Sequence, residues 1–132
     1  MKIILDNEES ESMFYNALCN GLNDFSSHGL RLSYIAEEYQ AAKDIFKSQL
    51  NKDVDVCYED VLMQILRNGD SLKVIDIEGD GDQDAEITMK EVHERMSEVP
   101  FSDLSDMITQ NDDACTADNV LQTIFYNEIQ FC

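Results

Sequence analysis

The acidic stretch from Asp76 to Glu91 contains the residues whose types and spacing are best suited to chemistry, and that chemistry is calcium binding. Every second residue from Asp76 to Glu86 carries a carboxylate. Calcium prefers about six to eight hard oxygen ligands, and carboxylates that alternate along a tight loop can wrap around one ion. The stretch therefore predicts either a calcium loop or a very acidic turn.

One register of this stretch resembles an EF-hand loop. It runs from Asp80 to Glu91 with the sequence DGDQDAEITMKE. Aspartates fall at the first, third and fifth positions, a carbonyl donor at the seventh and a glutamate at the twelfth, as in that family. The candidate metal ligands of this register are Asp80, Asp82, Asp84, Glu86 and Glu91.

Both calcium registers depart from the patterns that they resemble. In the EF-hand register Ala85 replaces the usual glycine, and the preceding KVIDIEG is typical of a strand rather than a helix. The second register begins at Asp76 and looks like the D-x-D-x-D-G-x-x-D loops of bacterial calcium proteins. It places Gly81 at the turn but Ile87 where a glutamate would close the site. A β-hairpin with GDGDQD at its tip explains the same residues without an ion, because Gly and Asp tolerate turn geometry. The hairpin is the favoured interpretation and calcium binding is the alternative.

The net charge points to the kind of partner. The chain has 28 acids against 9 bases, a net charge of −19, and no Lys or Arg follows Arg95. Such a surface repels nucleic-acid phosphates and anionic membranes, and it attracts basic protein surfaces and divalent cations. Solvation alone is the simpler explanation of the charge. The candidate partner-binding residues are Asp76, Glu78, Asp80, Asp82, Asp84, Asp112 and Asp113, and Asp103, Asp106 and Asp118 extend the same field.

Carboxylates at suitable spacing can imitate a phosphate backbone, which suggests one specific use of this charge. A nucleic-acid mimic occupies the basic cleft of a nuclease, polymerase or repressor, and electrostatic steering makes its association fast and sensitive to salt.

The remaining reactive side chains do not form a catalytic motif. His28 lies in a turn, and His93 is expected in a surface ion pair with a glutamate. No nucleophile elbow, H-E-x-x-H pattern or phosphate loop occurs in the sequence. We therefore expect a protein that is not an enzyme and that has no cofactor, apart from possible calcium.

The cysteines and the N-terminus predict a cytoplasmic protein. Cys19, Cys57, Cys115 and Cys132 are widely spaced and form no C-x-x-C pair. We expect them to be reduced and mostly buried. The apolar part of the opening MKIILD is too short for a signal peptide, and an acidic residue follows it at once. No apolar run in the sequence is long enough to span a membrane.

The elements that must position these residues predict an α+β fold, with several amphipathic helices packed on a small, mostly antiparallel sheet. We expect one domain over residues 1–132. Apolar periodicity predicts a helix that begins after Asp6, and further helices over residues 36–50, 58–69, 89–99, 103–110 and 117–125. Strands are expected over residues 1–5, 30–35, 71–78, 86–89 and 128–131, with residues 51–57 as a strand or an extended link.

Helix-capping residues mark where several of these helices begin and end. Asp6 with Glu9 and Thr88 with Glu91 have the spacing of capping boxes. Gly69 is placed to end the third helix. Ser102 and Thr116 are expected to cap the last two helices.

Three segments of the chain resemble small acidic proteins of gut Bacteroidota and their phages, including crAss-like phages. These segments are CYEDVLMQILRNGDSLKVIDIE, ITMKEVHERM and NDDACTADNVLQTIFYNEIQF, in the C-terminal two-thirds of the chain. The resemblance implies an accessory protein, encoded by a phage or mobile element, in the host cytoplasm. It assigns no functional residue.

The expected function is therefore a non-enzymatic protein that binds a basic protein surface, as a nucleic-acid mimic or an inhibitor of host machinery. The first alternative is a calcium-binding module that uses the loop from Asp80 to Glu91. The second is an accessory component of a virion or of its assembly, in which the charge only keeps the protein soluble.

Overall fold

A computed structural model describes residues 4–50, 56–79, 81 and 83–131. Over these residues the chain forms six α-helices and a three-stranded sheet, which confirms the predicted α+β class. The elements, in chain order, are α1 (Asn7–Ser26), β1 (Leu30–Ser33), α2 (Ala36–Gln49), α3 (Tyr58–Arg67), β2 (Leu72–Asp76), β3 (Ala85–Ile87), α4 (Met89–Arg95), which continues into a 3-10 turn (Met96–Glu98), α5 (Phe101–Ile108) and α6 (Ala114–Tyr126).

The sheet has the order β1-β2-β3 and is antiparallel throughout. Leu30 pairs with Asp76, and Val74 pairs with both Leu32 and Ala85 on its two sides. Alternate side chains of β2 are buried, as expected for a strand with one face on the core. β2 and β3 form the hairpin predicted for the acidic stretch.

Several helix ends agree with the sequence prediction. The Asp6 carboxylate accepts a hydrogen bond from the Glu9 N–H at 2.7 Å, and Glu9 accepts one from the Asp6 N–H at 3.2 Å. The Glu91 carboxylate likewise accepts from the Thr88 hydroxyl at 2.9 Å. Gly69 ends α3 with φ +89°, a backbone conformation that glycine adopts without steric cost.

The predicted starts of the last two helices were wrong. α5 begins directly after Pro100, not after Ser102, because proline fits the start of a helix, where its missing N–H is not needed. α6 begins after Asp113, whose carboxylate accepts from the Thr116 N–H at 2.8 Å. Thr116 therefore lies inside the first turn and is buried.

The predicted strands at the two ends of the chain were also wrong where the structure describes them. Ile4 and Leu5 have no regular structure, and the rest of the first prediction lies outside the described residues. Residues 128–131 form no strand, because the N–H groups of Gln130 and Phe131 donate to the side-chain oxygen of Gln122 and not to another strand. Within the predicted link of residues 51–57, only residues 56 and 57 are described, and neither lies in a strand.

The core is built around the contact between α1 and α6. Phe14 and Phe25 of α1 both pack against Phe125 of α6, with ring centroids 6.5 and 5.6 Å apart. Gly21 lies where the two helices come closest: a Cβ built on it would be 2.7 Å from the Cβ of Ala117. The helix that begins the chain and the helix that ends it are therefore held together by the main apolar contact of the fold.

The cysteines differ from the prediction. Cys19, Cys57 and Cys115 are free and exposed rather than buried, while Cys132 lies outside the described residues. Cys19 of α1 and Cys115 of α6 fall on the outer sides of their helices, because helical spacing assigns the inner positions to neighbouring apolar residues such as Leu18 and Ala117. Cys57 precedes α3 and lies in no helix or strand.

Candidate interaction surface

The carboxylate of Asp76 holds the acidic loop between β2 and β3 in place through hydrogen bonds to the backbone of the loop. This carboxylate is only 7% exposed and accepts hydrogen bonds from the N–H groups of Gly79 at 2.8 Å and Gln83 at 3.2 Å. Asp84 accepts from the N–H of Asp76 at 2.6 Å, and Gly81 turns the chain with φ +87°. Asp76 therefore shapes the loop and does not belong to the exposed acidic surface, whereas Glu78 and Asp84 are exposed.

The candidate calcium ligands lie on different elements. Asp80 and Asp82 lie outside the described residues. Glu86 is on β3 and pairs with Lys73 at 3.8 Å, and the carboxylate of Glu91 is used to begin α4. Within the described parts of the chain, no three His, Cys, Asp or Glu side chains gather in a way that would hold a metal ion. Calcium binding by this loop stays a prediction.

Tyr126, a residue that the sequence analysis did not single out, ties the hairpin to α6. Its hydroxyl donates to the carbonyl of Gln83 at 2.7 Å. Burial, followed by the charges of Asp76 and Asp84, raises the pKa of Tyr126 to about 12. A neutral phenol therefore fits beside the acidic loop and an ionised one does not.

Replacing Tyr126 with Phe should lower the free energy of unfolding by about 1 kcal/mol near neutral pH, through loss of this hydrogen bond. Because the folded-state pKa lies above the usual value of about 10, the stabilisation from the phenol is complete below about pH 10 and is lost as the pH rises toward 12. The difference between wild type and variant should therefore shrink with rising pH. Urea denaturation at about pH 8 and pH 11 measures it, and a constant difference would contradict the assignment.

The fold brings together two stretches of the chain that contain no Lys or Arg. These are residues 4–30 and 96–131, which supply α1, α5 and α6. Asn20 of α1 donates to the carboxylate of Asp112, just before α6, at 3.1 Å. We call the exposed surface of these segments the acidic face. Its principal carboxylates are Asp6, Glu8, Glu9, Asp112 and Asp113.

The negative field is concentrated where α6 begins. Burial, and then the charges of four aspartates, raise the pKa of the Cys115 thiol. Such a thiol is less reactive than an ordinary one, because thiolate formation is disfavoured. The aspartates come from α1, α5, α6 and the residue before α6, and they are Asp113, Asp118, Asp103 and Asp24.

Asp103 and Asp106 of α5, which were predicted to extend the acidic surface, are half-buried. Burial raises the pKa of Asp103, and the charges of Asp106 and Asp113 act in the same direction. These carboxylates are therefore close enough to repel one another. A basic group from a partner would relieve that repulsion.

Asp118 was expected on the surface, and this was wrong. It is buried at 6% exposure, and one carboxylate oxygen lies 2.8 Å from Nε2 of His28 and accepts from Gln122 at 3.0 Å. The ring of His28 stacks on Phe131, with centroids 5.0 Å apart. These contacts fasten the last described residues against α1 and α6, so Asp118 serves the fold and not a partner.

His93 contacts a glutamate, as predicted, but the contact is half-buried and the glutamate is distant in sequence. Its Nε2 lies 3.0 Å from the carboxylate of Glu11 in α1, which also contacts Arg67 at 3.4 Å. Glu11 of α1 thus pairs with Arg67 of α3 and contacts His93 of α4.

A comparison of the chain with protein-family models, with curated proteins and with solved structures gave no match. The resemblance to proteins of Bacteroidota and their phages therefore stays a prediction. Across the part of the chain that the structure describes, no helix combines the length and the apolar character needed to cross a membrane.

Proposed function

We propose that the protein binds a basic protein surface through its acidic face and catalyses no reaction. The observation that supports this most directly is the packing of α1 against α6, which joins the two stretches of the chain without Lys or Arg. The Lys and Arg residues that the structure shows in ion pairs belong to other elements, namely Arg67 to α3, Lys73 to β2 and Lys90 to α4, and of these only Arg67 pairs with a carboxylate of α1, Glu11.

A one-signed surface of this kind favours a partner of opposite charge. Asp6 and Asp113 cap helices, and Asp112 is held by Asn20, so three carboxylates are fixed in place before any partner arrives. Preorganised charges reduce the ordering cost of binding, and the long-range field accelerates encounter. A basic cleft that normally holds nucleic acid has the complementary charge, which is the basis of the mimic proposal.

The proposal predicts that binding to a basic nuclease, polymerase or repressor weakens as salt is added, because salt screens exposed charges. The test variant carries Glu8→Gln, Asp112→Asn and Asp113→Asn, which remove three charges while asparagine preserves the cap on α6. We expect its affinity to fall by at least about tenfold at low salt, that is, by about 1.4 kcal/mol or more. Biolayer interferometry against a panel of such proteins provides the measurement.

The matched control is Glu37→Gln, Glu38→Gln and Asp44→Asn, which removes three charges from α2. Equal losses in the two variants would show that only net charge matters and would contradict a specific face. Each measurement is repeated with millimolar calcium and with a chelator. Capture that requires calcium would favour the hairpin alternative, and self-association without partner binding would favour an assembly role.

A further inference from the structure

An open groove of about 450 Å³ lies within the acidic face, between the first half of α1 and the last turn of α5. Its lining combines two kinds of side chain that proteins usually keep apart on an exposed surface, namely carboxylates and large apolar groups. The lining includes Glu8, Glu9, Met13, Met107, Ile108 and Gln110.

The apolar part of the groove is accessible. Ile108, the last residue of α5, is 52% exposed, and Met13 beside it in the groove is half-buried. Met107 is 7% exposed and ties this patch to the core. Methionine is flexible and polarisable, so such a floor adapts to apolar side chains of different shape.

The described segments that line the acidic rim of the groove contain no Lys or Arg. Lys and Arg are absent from residues 4–30 and 96–131, which supply both walls. Glu9 accepts the N–H of Asp6 in the cap of α1, and Glu8 is exposed beside it. A Lys or Arg side chain of a partner has the charge that complements this rim.

Gln110 gives a second reason to regard the groove as more than a gap between helices. It closes α5 with φ +60°, and the Asn111 N–H donates to the Asp106 carbonyl at 2.8 Å. α3 ends with the equivalent hydrogen bonds but uses Gly69 at the positive φ. A glutamine in this position costs conformational energy that glycine would avoid, and its side chain lines the groove.

We propose that this groove anchors the basic partner, and that its occupant is an amphipathic protein segment. The segment places a bulky apolar side chain against Met13 and Ile108, and its Lys or Arg residues face Glu8 and Glu9. This inference rests on the proposed function and names the site and the partner chemistry. Charge complementarity selects a basic segment, and the apolar floor selects an amphipathic protein segment rather than a small polycation.

The test uses two fluorescein-labelled synthetic peptides and measures their binding by anisotropy. One is an amphipathic helix of leucine and lysine, and the other has every leucine replaced by serine and so has the same charge. The variant Ile108→Ser removes the exposed part of the apolar floor. Its matched control is Ile45→Ser, at a 40% exposed position of α2.

We expect Ile108→Ser to weaken binding of the leucine–lysine peptide by at least about fivefold and to leave the serine–lysine peptide unchanged. Ile45→Ser should change neither, whereas Glu8→Gln should weaken both. If Ile108→Ser has no effect while both peptides still bind in a salt-dependent manner, the groove inference is overturned and the proposed function stands. If neither peptide binds, both are overturned.

Discussion

Replacing Gly21 with leucine is expected to lower the free energy of unfolding by about 3 kcal/mol. A Cβ at this position would lie 2.7 Å from the Cβ of Ala117 and 2.8 to 2.9 Å from backbone atoms of Ala117 and Asp118. These atoms belong to the backbone and first side-chain carbon of α6, so they cannot rotate away. The helices must separate, and overpacking of this kind typically costs about 1–3 kcal/mol, occasionally more.

Gly21→Ala should have a smaller net effect, because the clash is partly offset by a gain in helix propensity of about 1 kcal/mol. The control is Asn23→Leu, which places the same side chain at an exposed position of the same helix. Chemical denaturation measures all three variants. A Gly21→Leu protein as stable as Asn23→Leu would mean that α1 and α6 do not approach as closely as described.

Replacing Gln122 with methionine is expected to lower the free energy of unfolding by about 2–4 kcal/mol and to release residues 128–131 from α6. Gln122 is fully buried; its carbonyl oxygen accepts from the N–H groups of Gln130 and Phe131, both at 2.8 Å. Its amide donates to Asp118 at 3.0 Å and to the Phe131 carbonyl at 3.1 Å. Methionine fills a similar volume but makes none of these hydrogen bonds, each of which contributes about 1 kcal/mol.

Hydrogen exchange at the amides of Gln130 and Phe131 distinguishes release of the segment from general destabilisation, because both amides should lose protection before the core does. The control is Gln130→Ala, which keeps the backbone N–H and removes only an exposed side chain. Unchanged protection of the two amides in Gln122→Met would show that another interaction holds the segment.

Local features of the fold could be predicted because their causes lie within a few residues of one another. A capping box needs only residues three positions apart, so Asp6 with Glu9 and Thr88 with Glu91 could be recognised. The hairpin followed from alternating strands around a Gly- and Asp-rich turn. The same local logic failed at α6, because Asp113 and Thr116 both suit a helix start and the choice depends on where the preceding loop arrives.

Which carboxylates are buried in the fold and which are exposed could not be predicted from the sequence. Asp76 and Asp118 were both expected to be exposed acids, and both are buried. Asp76 accepts from backbone N–H groups, whereas one oxygen of Asp118 contacts His28 and Gln122 and its other oxygen has no hydrogen-bond partner among the described residues. A buried carboxylate requires such partners. His28 is 90 positions from Asp118, and no sequence pattern identifies it. Gly79, Gln83 and Gln122 are near in sequence, but whether their N–H groups turn toward the carboxylate depends on how the chain folds.

The sequence by itself determined the six helices, apart from where α5 and α6 begin, together with the three strands of the sheet, the hairpin, and a strong negative charge without motifs for catalysis. Composition, periodicity and capping are local or additive properties. Only the tertiary structure brought residues 4–30 and 96–131 together into one acidic face with a groove in it. That outcome depends on the close packing of α1 and α6 at Gly21, between residues almost a hundred positions apart. Contacts at such a separation leave no periodic pattern in a single sequence. The relative positions of the carboxylates are therefore fixed only when the chain folds.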